Sequence, residues 1–232
     1  MATYKHLPTG KRFLFVHIPR TAGRFFEANL KEQNFVWDDH LGTDKPYFLV
    51  HGIELAHFHR EYYEKYLDVK DIPHITIVRN PIDRFFSGSM WMRKMYGDDI
   101  DEMLEDEYLF NSMIHNFPFP EAVNWFRQQV DFVSDKTHVW KFENGFGKDF
   151  ADWVSHIIDL PFEILDVTPA KLVVDETNKV VRSAKIIDNV RNFYRRDFEQ
   201  LYPELATPLQ EGTKAETQTT STPSSKTTVK TI

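Results

Sequence analysis

The chain has 232 residues, enough for one sizeable hydrophobic core rather than two small ones. Its hydrophobic content of 41% and aromatic content of 15% belong to the globular class, and a formal net charge of −7 speaks against a general nucleic-acid binder. No cysteine is present, which excludes a disulfide framework and any thiolate metal site and fits a reducing compartment.

The N-terminal "MATYKHLPTGK" lacks the apolar core of a secretory signal. No apolar run approaches the roughly 18 residues that span a bilayer. A cytoplasmic chain with no membrane segment and no nucleic-acid partner is expected. The β-rich runs Phe13–His17, Tyr47–Val50, Ile75–Val78 and His138–Phe142 alternate with segments of helical spacing, Leu55–Leu67 and Glu121–Gln129. That order predicts an α/β fold, with a mainly parallel central sheet covered on both faces. The acidic segment 97–107, "GDDIDEMLEDE", suits a solvated helix face or loop. The longest helix is expected in "SAKIIDNVRNFYRRDFEQLY", where Ile186, Ile187, Val190, Phe193, Tyr194, Phe198 and Leu201 share one face. Ser183 is its N-cap and Pro203 its stop. Residues 1–206 then form a single domain. Residues 207–232, rich in Thr, Ser, Lys and Pro, lack the apolar groups that offset ordering entropy, which predicts a disordered tail.

Two stretches carry chemistry. "FLFVHIPRTAGRFF", residues 13–26, reads as strand, turn and helix, and its turn holds Arg20, Thr21, Ala22, Gly23 and Arg24. A helix N-terminus presents unpaired backbone N–H groups and a partial positive charge, so it binds phosphate or sulfate when a cation stands beside it. Gly23 would let the backbone approach the ligand, and Thr21 would add a hydroxyl donor. An ordinary βα turn with solvated arginines remains the alternative. The stretch is not a Walker loop: at Gly10–Lys11, Lys5 stands where the first glycine belongs, Arg12 follows, and the pair precedes the strand. In the second stretch, "HITIVRNPIDRFFSGSMW", the strand ends in Arg79, not in the acidic residue that would help hold magnesium. Arg84 and Ser87 follow on the next segment, and Ser87, eight residues past Arg79, could approach the same anion. Two strand ends bearing cations, with no evident metal ligand, describe a site for a highly anionic nucleotide handled without a metal.

Here the chain resembles the carbohydrate-modifying branch of the sulfotransferases. "FVHIPRTAG" is similar to that family's 5′-phosphosulfate loop, and "IVRNPIDRFFSGS" to its 3′-phosphate motif. Weaker likenesses follow in "QQVDFVSD" (128–135), "VWKFEN" (139–144) and "YRRDFEQLYP" (194–203), so the similarity spans about residues 12–203. The resemblance implies a three-layer α/β/α sandwich akin to the P-loop nucleotide kinases. It also implies the donor 3′-phosphoadenosine 5′-phosphosulfate (PAPS) and a hydroxyl-bearing acceptor, with a carbohydrate first in line. Arg20, Thr21, Ala22, Gly23, Arg24 and Phe25 would wrap the 5′-phosphosulfate, and Arg79 and Ser87 the 3′-phosphate. The family usually has Lys where this chain has Arg20, which keeps the charge but makes proton donation to the leaving group doubtful. Arg24 likewise replaces a small hydroxyl residue.

Sulfuryl transfer to a hydroxyl also needs a general base. His51 directly follows the run "YFLV" and should stand on the ligand edge of the sheet, where the family commonly has a catalytic His. Helical continuation should carry His57 and His59 away from that edge. Glu54 is a reserve base, and His17 is read as structural. The rival to an enzyme is a non-catalytic nucleotide-binding or scaffold domain, which the Arg20 substitution keeps in play. Acceptor contacts fall to loops such as residues 88–120. Anchored family members carry a membrane segment, so this chain suggests a microbial or viral setting.

Overall fold

The computed structural model describes residues 2–38, 49–50, 53–54, 57–116, 125–165 and 179–206. Its central sheet has five strands: β1 (Ala2–His6), β2 (Arg12–Val16), β3 (Phe35–Trp37), and the later β6 (His74–Val78) and β7 (Thr137–Lys141), in the order β3-β1-β2-β6-β7. β2, β6 and β7 run parallel, with Phe15 opposite Ile75 and Val78 opposite Lys141. β1 pairs antiparallel with both β2 and β3. The sheet is therefore mixed rather than mainly parallel. Its parallel half is the part that the apolar runs marked out. The other half is antiparallel, with β1 between β2 and β3: "ATYKH" is too mixed in polarity, and the three-residue "FVW" after the first helix too short, to signal a strand.

The expected strand Tyr47–Val50 does not join this sheet. Its described part, β4 (Leu49–Val50), pairs with β5 (Ile53–Glu54) in a separate antiparallel ribbon. Tyr47, Phe48 and His51 lie outside the described residues, as does the tail 207–232.

Helices cover both faces of the sheet. Phe13, Phe15, Ile75 and Ile77 point to one side, where α1 (Gly23–Glu32) brings Phe26 and Leu30. On the same side α6 (Lys148–Ile158) brings Phe150, Val154 and Ile158. Leu14, Val16 and Val78 point to the other. There they meet Tyr63 of α2 (Arg60–Tyr66), Phe85 and Met92 of α3 (Pro81–Tyr96), Leu104 of α4 (Ile100–Glu105) and Phe110 of α5 (Glu107–Asn116). Ile186 and Val190 of α7 (Ala184–Phe193) and Phe198 of α8 (Arg195–Leu201) complete that side. The strand period of two thus divides each strand between two cores.

Ser183 does cap α7, accepting from the Ile186 N–H at 3.3 Å. The long helix is, however, interrupted at Tyr194, a buried residue whose hydroxyl donates to the Phe126 carbonyl at 2.7 Å. Apolar spacing continues across this one-residue break and so does not reveal it. α3, at 16 residues, is the longest helix among the described residues. The acidic segment continues from it into α4, with Ile100 and Leu104 buried and Arg93 bound to Asp98 and Asp101. No helix among the described residues is long and apolar enough to cross a membrane.

Candidate anion-binding site

Because β2 and β6 are parallel neighbours, the turns that follow them open on the same sheet edge. The first turn, Pro19–Ala22, is unusual in its backbone. Arg20 (φ 69°) and Ala22 (φ 74°) are both left-handed, a conformation that costs a non-glycine residue about 1–3 kcal/mol and collects at ligand sites. Side chains hold it there. Thr21 Oγ1 donates to the Ile18 carbonyl at 2.8 Å, Arg84 Nε to that of Pro19 at 3.0 Å, and Arg79 Nη1 to that of Arg20 at 3.4 Å. His57 Nδ1 lies 3.2 Å from the His17 carbonyl, and the Ala22 carbonyl accepts from Phe25 and Phe26. The carbonyls of Pro19, Arg20 and Ala22 are thus occupied by the protein. Among the described residues, nothing accepts from the backbone N–H of Arg20, Thr21, Ala22, Gly23 or Arg24. Ala22 supplies no side-chain cap to α1. Such a turn is a concavity of donors, suited to an anion.

Cations gather around it. Arg20 directs Nη2 and Nε to Ser87 Oγ at 2.9 and 3.2 Å, and Ser87 sits on the second turn of α3. Burial, then the charges of Arg79 and Arg24, pull the Arg20 guanidinium down to about 10, and no carboxylate is among the groups acting on it. Arg79 lies with its guanidinium 4.5 Å from the Phe142 ring centroid. Phe142 and Phe25 both pack on Phe146, at 5.3 and 5.2 Å between centroids, so a half-buried aromatic ledge adjoins the arginines. The structure brings Arg20, Arg79 and Ser87 together, while Arg24 is exposed on the first turn of α1.

Several expected roles change. The Thr21 hydroxyl is spent on Ile18 and is no ligand donor in this arrangement. Gly23 serves packing: a Cβ there would lie 1.9 Å from His17 Nε2 and 2.1 Å from its Cδ2. His17 is itself fixed, with Nδ1 3.2 Å from Glu27 Oε1 and its ring stacked on Phe15. Arg84 is spent on the protein's own backbone. It is 1% exposed and donates to the carbonyls of Pro19, Arg127 and Trp125.

The histidines change most. His57 was expected to be carried away on a helix from Leu55, but α2 begins only at Arg60, with His59 as its N-cap. His57 therefore stays at the sheet edge, its ring 4.8 Å from that of His17. Burial, reinforced by His17, holds it well below the ordinary imidazole value, so it is neutral at pH 7. His59 is pulled to about 4 by burial and Arg127. The strand-end placement of His51 rested on β4 belonging to the parallel sheet, which it does not; His51 lies outside the described residues. Glu54 falls in β5.

No family model, curated protein or solved structure matches the chain. The site rests on its own geometry, and that geometry recruits residues that were not singled out. Gln129, Phe142, Glu143, Asp197 and Tyr202 all act around Arg79 and Asn80. Glu143 Oε1 accepts from the Asn80 N–H at 2.7 Å, and its Oε2 from the Tyr202 hydroxyl at 2.9 Å. Each lies in one of the three weaker stretches, 128–135, 139–144 and 194–203, which was the one sequence signal that pointed to them. Among the described residues, no group of three or more His, Asp and Glu side chains is placed to hold a metal ion.

Proposed function

We propose that this chain is a PAPS-dependent sulfotransferase, with a fold akin to the P-loop nucleotide kinases, that moves a sulfuryl group to a hydroxyl, most naturally of a carbohydrate. The observation that carries this reading is the convergence of Arg20, Arg79 and Ser87 on the donor-lined turn before α1. An arginine cluster is suited to several phosphate or sulfate charges at once. The ledge of Phe25, Phe142 and Phe146 favours a nucleotide over a bare anion, because a purine offers a π-face to aromatic rings.

In this reading the backbone N–H groups of residues 20–24 and the Arg20 guanidinium bind the 5′-phosphosulfate, and Arg79 meets the 3′-phosphate. Ser87, held by Arg20, joins the two ends of the site. The acceptor oxygen attacks sulfur, the bond from sulfur to the bridging oxygen breaks, and the electron pair leaves with adenosine 3′,5′-bisphosphate. Arg20 and the first turn of α1 offset the charge that builds on that leaving group. Arg20 keeps the charge of the lysine usual in the family, so its part is charge stabilisation and not proton donation. The acceptor's proton goes to an imidazole. His57 is the candidate among the described residues, since it stays at the sheet edge beside the turn with Nδ1 donating to the His17 carbonyl. His51 is the runner-up.

Transfer of labelled sulfate from PAPS to a panel of glycans tests the reading. We expect turnover to fall roughly 10²–10⁴-fold in His57→Ala, far more than donor affinity falls. Arg20→Lys should keep turnover. Donor binding without transfer to any acceptor would favour the non-catalytic reading. Equal affinity for adenosine 3′,5′-bisphosphate and adenosine 5′-phosphate would remove the nucleotide assignment altogether.

A further inference from the structure

Arg79 is held by its backbone as well as by its side chain. The β6–β7 ladder ends at the pair Val78 and Lys141, so the peptide groups of Arg79 lie just past it. Gln129, which is fully buried, replaces the missing strand. Its Oε1 accepts from the Arg79 N–H at 2.9 Å and its Nε2 donates to the Arg79 carbonyl at 2.8 Å. Among side chains of this length, a primary amide alone offers one donor and one acceptor side by side.

Gln129 is fixed from behind. Asp197 of α8, also fully buried, accepts the Gln129 N–H at Oδ2 (2.9 Å) and the Val130 N–H at Oδ1 (3.0 Å). The same Oδ2 lies 3.4 Å from Gln129 Nε2, so it orients the amide with its oxygen towards the Arg79 N–H. The preceding residues are tied just as firmly, through the Trp125 and Arg127 carbonyls to Arg84 and the Phe126 carbonyl to Tyr194. Two segments some 50 and 118 residues beyond Arg79 thus converge on its main chain.

We infer that Gln129, backed by Asp197, is a positioning residue that sets the preference for a bisphosphorylated over a monophosphorylated nucleotide without touching either. With its backbone clamped by Gln129 and its guanidinium laid over Phe142, Arg79 is held in one placement beside the turn. Release of the backbone lets the guanidinium swing, and the second phosphate loses its fixed partner. The inference rests on the nucleotide reading above.

Calorimetry with adenosine 3′,5′-bisphosphate and adenosine 5′-phosphate tests it, on wild type, Gln129→Met and Gln129→Asn. Met keeps the volume and removes both bonds; Asn keeps a buried amide that is too short to reach Arg79, and serves if the first variant does not fold. We expect wild type to prefer the bisphosphate by roughly 10–100-fold, as one charge-assisted contact implies. The folded variants should lose most of that preference, with bisphosphate affinity falling far more than monophosphate affinity. In an Arg79→Ala background, Gln129→Met should leave the ratio where Arg79→Ala has already put it, because both act through one group. A wild type that discriminates, with variants that discriminate equally well, overturns the role of Gln129 alone. A wild type that does not discriminate overturns the nucleotide reading and this inference with it.

Discussion

Two βα turns leave the same edge of the sheet and are built on opposite plans. The turn after β2 is strained at Arg20 and Ala22, lacks a side-chain cap, and leaves its N–H groups without partners among the described residues. The turn after β6 is satisfied at every step. Gln129 pairs both backbone groups of Arg79, Glu143 accepts from the Asn80 N–H, and the Asn80 side chain caps α3 by accepting from Ile82 at 2.9 Å. Both follow apolar strands and both carry arginine, so the difference lies in what each presents. The open turn offers main-chain donors, while the closed turn offers one side chain on a rigid base. Arg84 links them: it belongs to α3, which the closed turn starts, and it holds the Pro19 carbonyl of the open one.

Breaking that link has the largest expected effect. Arg84→Met removes the donor to three carbonyls and leaves the buried Asp197 carboxylate without the cation that offsets its burial. We expect a loss of about 3–5 kcal/mol, measured by denaturant or thermal unfolding. A loss under about 1 kcal/mol would mean that the two turns are independent. Gly23→Ala comes next and strikes the open turn alone. The new Cβ meets an imidazole that Glu27 and Phe15 hold in place, and overpacking of this kind costs about 1–3 kcal/mol. Adding His17→Ala should recover much of the loss by making room. No recovery would show that Gly23 is needed for its backbone and not for the space beside it.

How far these turns were legible follows from what each needs. β2 and β6 are short apolar runs buried on both faces, and the sequence displays them directly; β7 is a half-buried edge strand that its β-rich run marks. Arg79 and the turn before α1 follow from where those runs stop. β1 and β3 form because neighbours pair with them, and strand formation of that kind depends on context more than on composition. His57 was misplaced because a helix starting at Arg60 instead of Leu55 turns a residue carried away into one left at the edge. The roles of Gly23 and Arg84 depend on which atoms they meet, His17 in one case and three carbonyls in the other. Residue type shows that such positions matter, and only the packed chain shows for what. Gln129 and Asp197 act across 50 and 68 residues, a range at which local pattern carries no information.

The open turn also rests on a neutral imidazole, which makes it sensitive to acid. His57, His59 and His74 are each held below the ordinary value of 6.5, chiefly by burial. Groups depressed in the folded state bind protons more readily in the unfolded one, so their stabilisation is complete above pH 6.5 and is lost as the pH falls. Between pH 6.5 and 5 most carboxylates stay ionised, and the histidines dominate the change. We expect the melting temperature to fall across that window, and to fall less in His57→Phe. An unchanged slope in that variant would place the acid sensitivity outside the open turn.

The smallest expected effect compares the turns through one substitution made in each. Ala22→Gly relieves a left-handed alanine (φ 74°, ψ 18°), where the side chain crowds the backbone, and should raise stability by about 1 kcal/mol. Asn80→Gly relieves nothing, since φ is −41°, and gives up the cap on Ile82, so it should lower stability by a few tenths of a kcal/mol. The same residue should therefore move the two turns in opposite directions. Nucleotide affinity should separate from stability at position 22: glycine frees a turn that alanine holds in its donor-lined shape, and binding must then restore that order. A more stable Ala22→Gly chain that binds adenosine 3′,5′-bisphosphate several-fold more weakly is the expected pair of results. If Ala22→Gly instead lowers the melting temperature, the left-handed backbone at position 22 is not a source of strain, and the contrast between an open, strained turn and a closed, relaxed one does not hold.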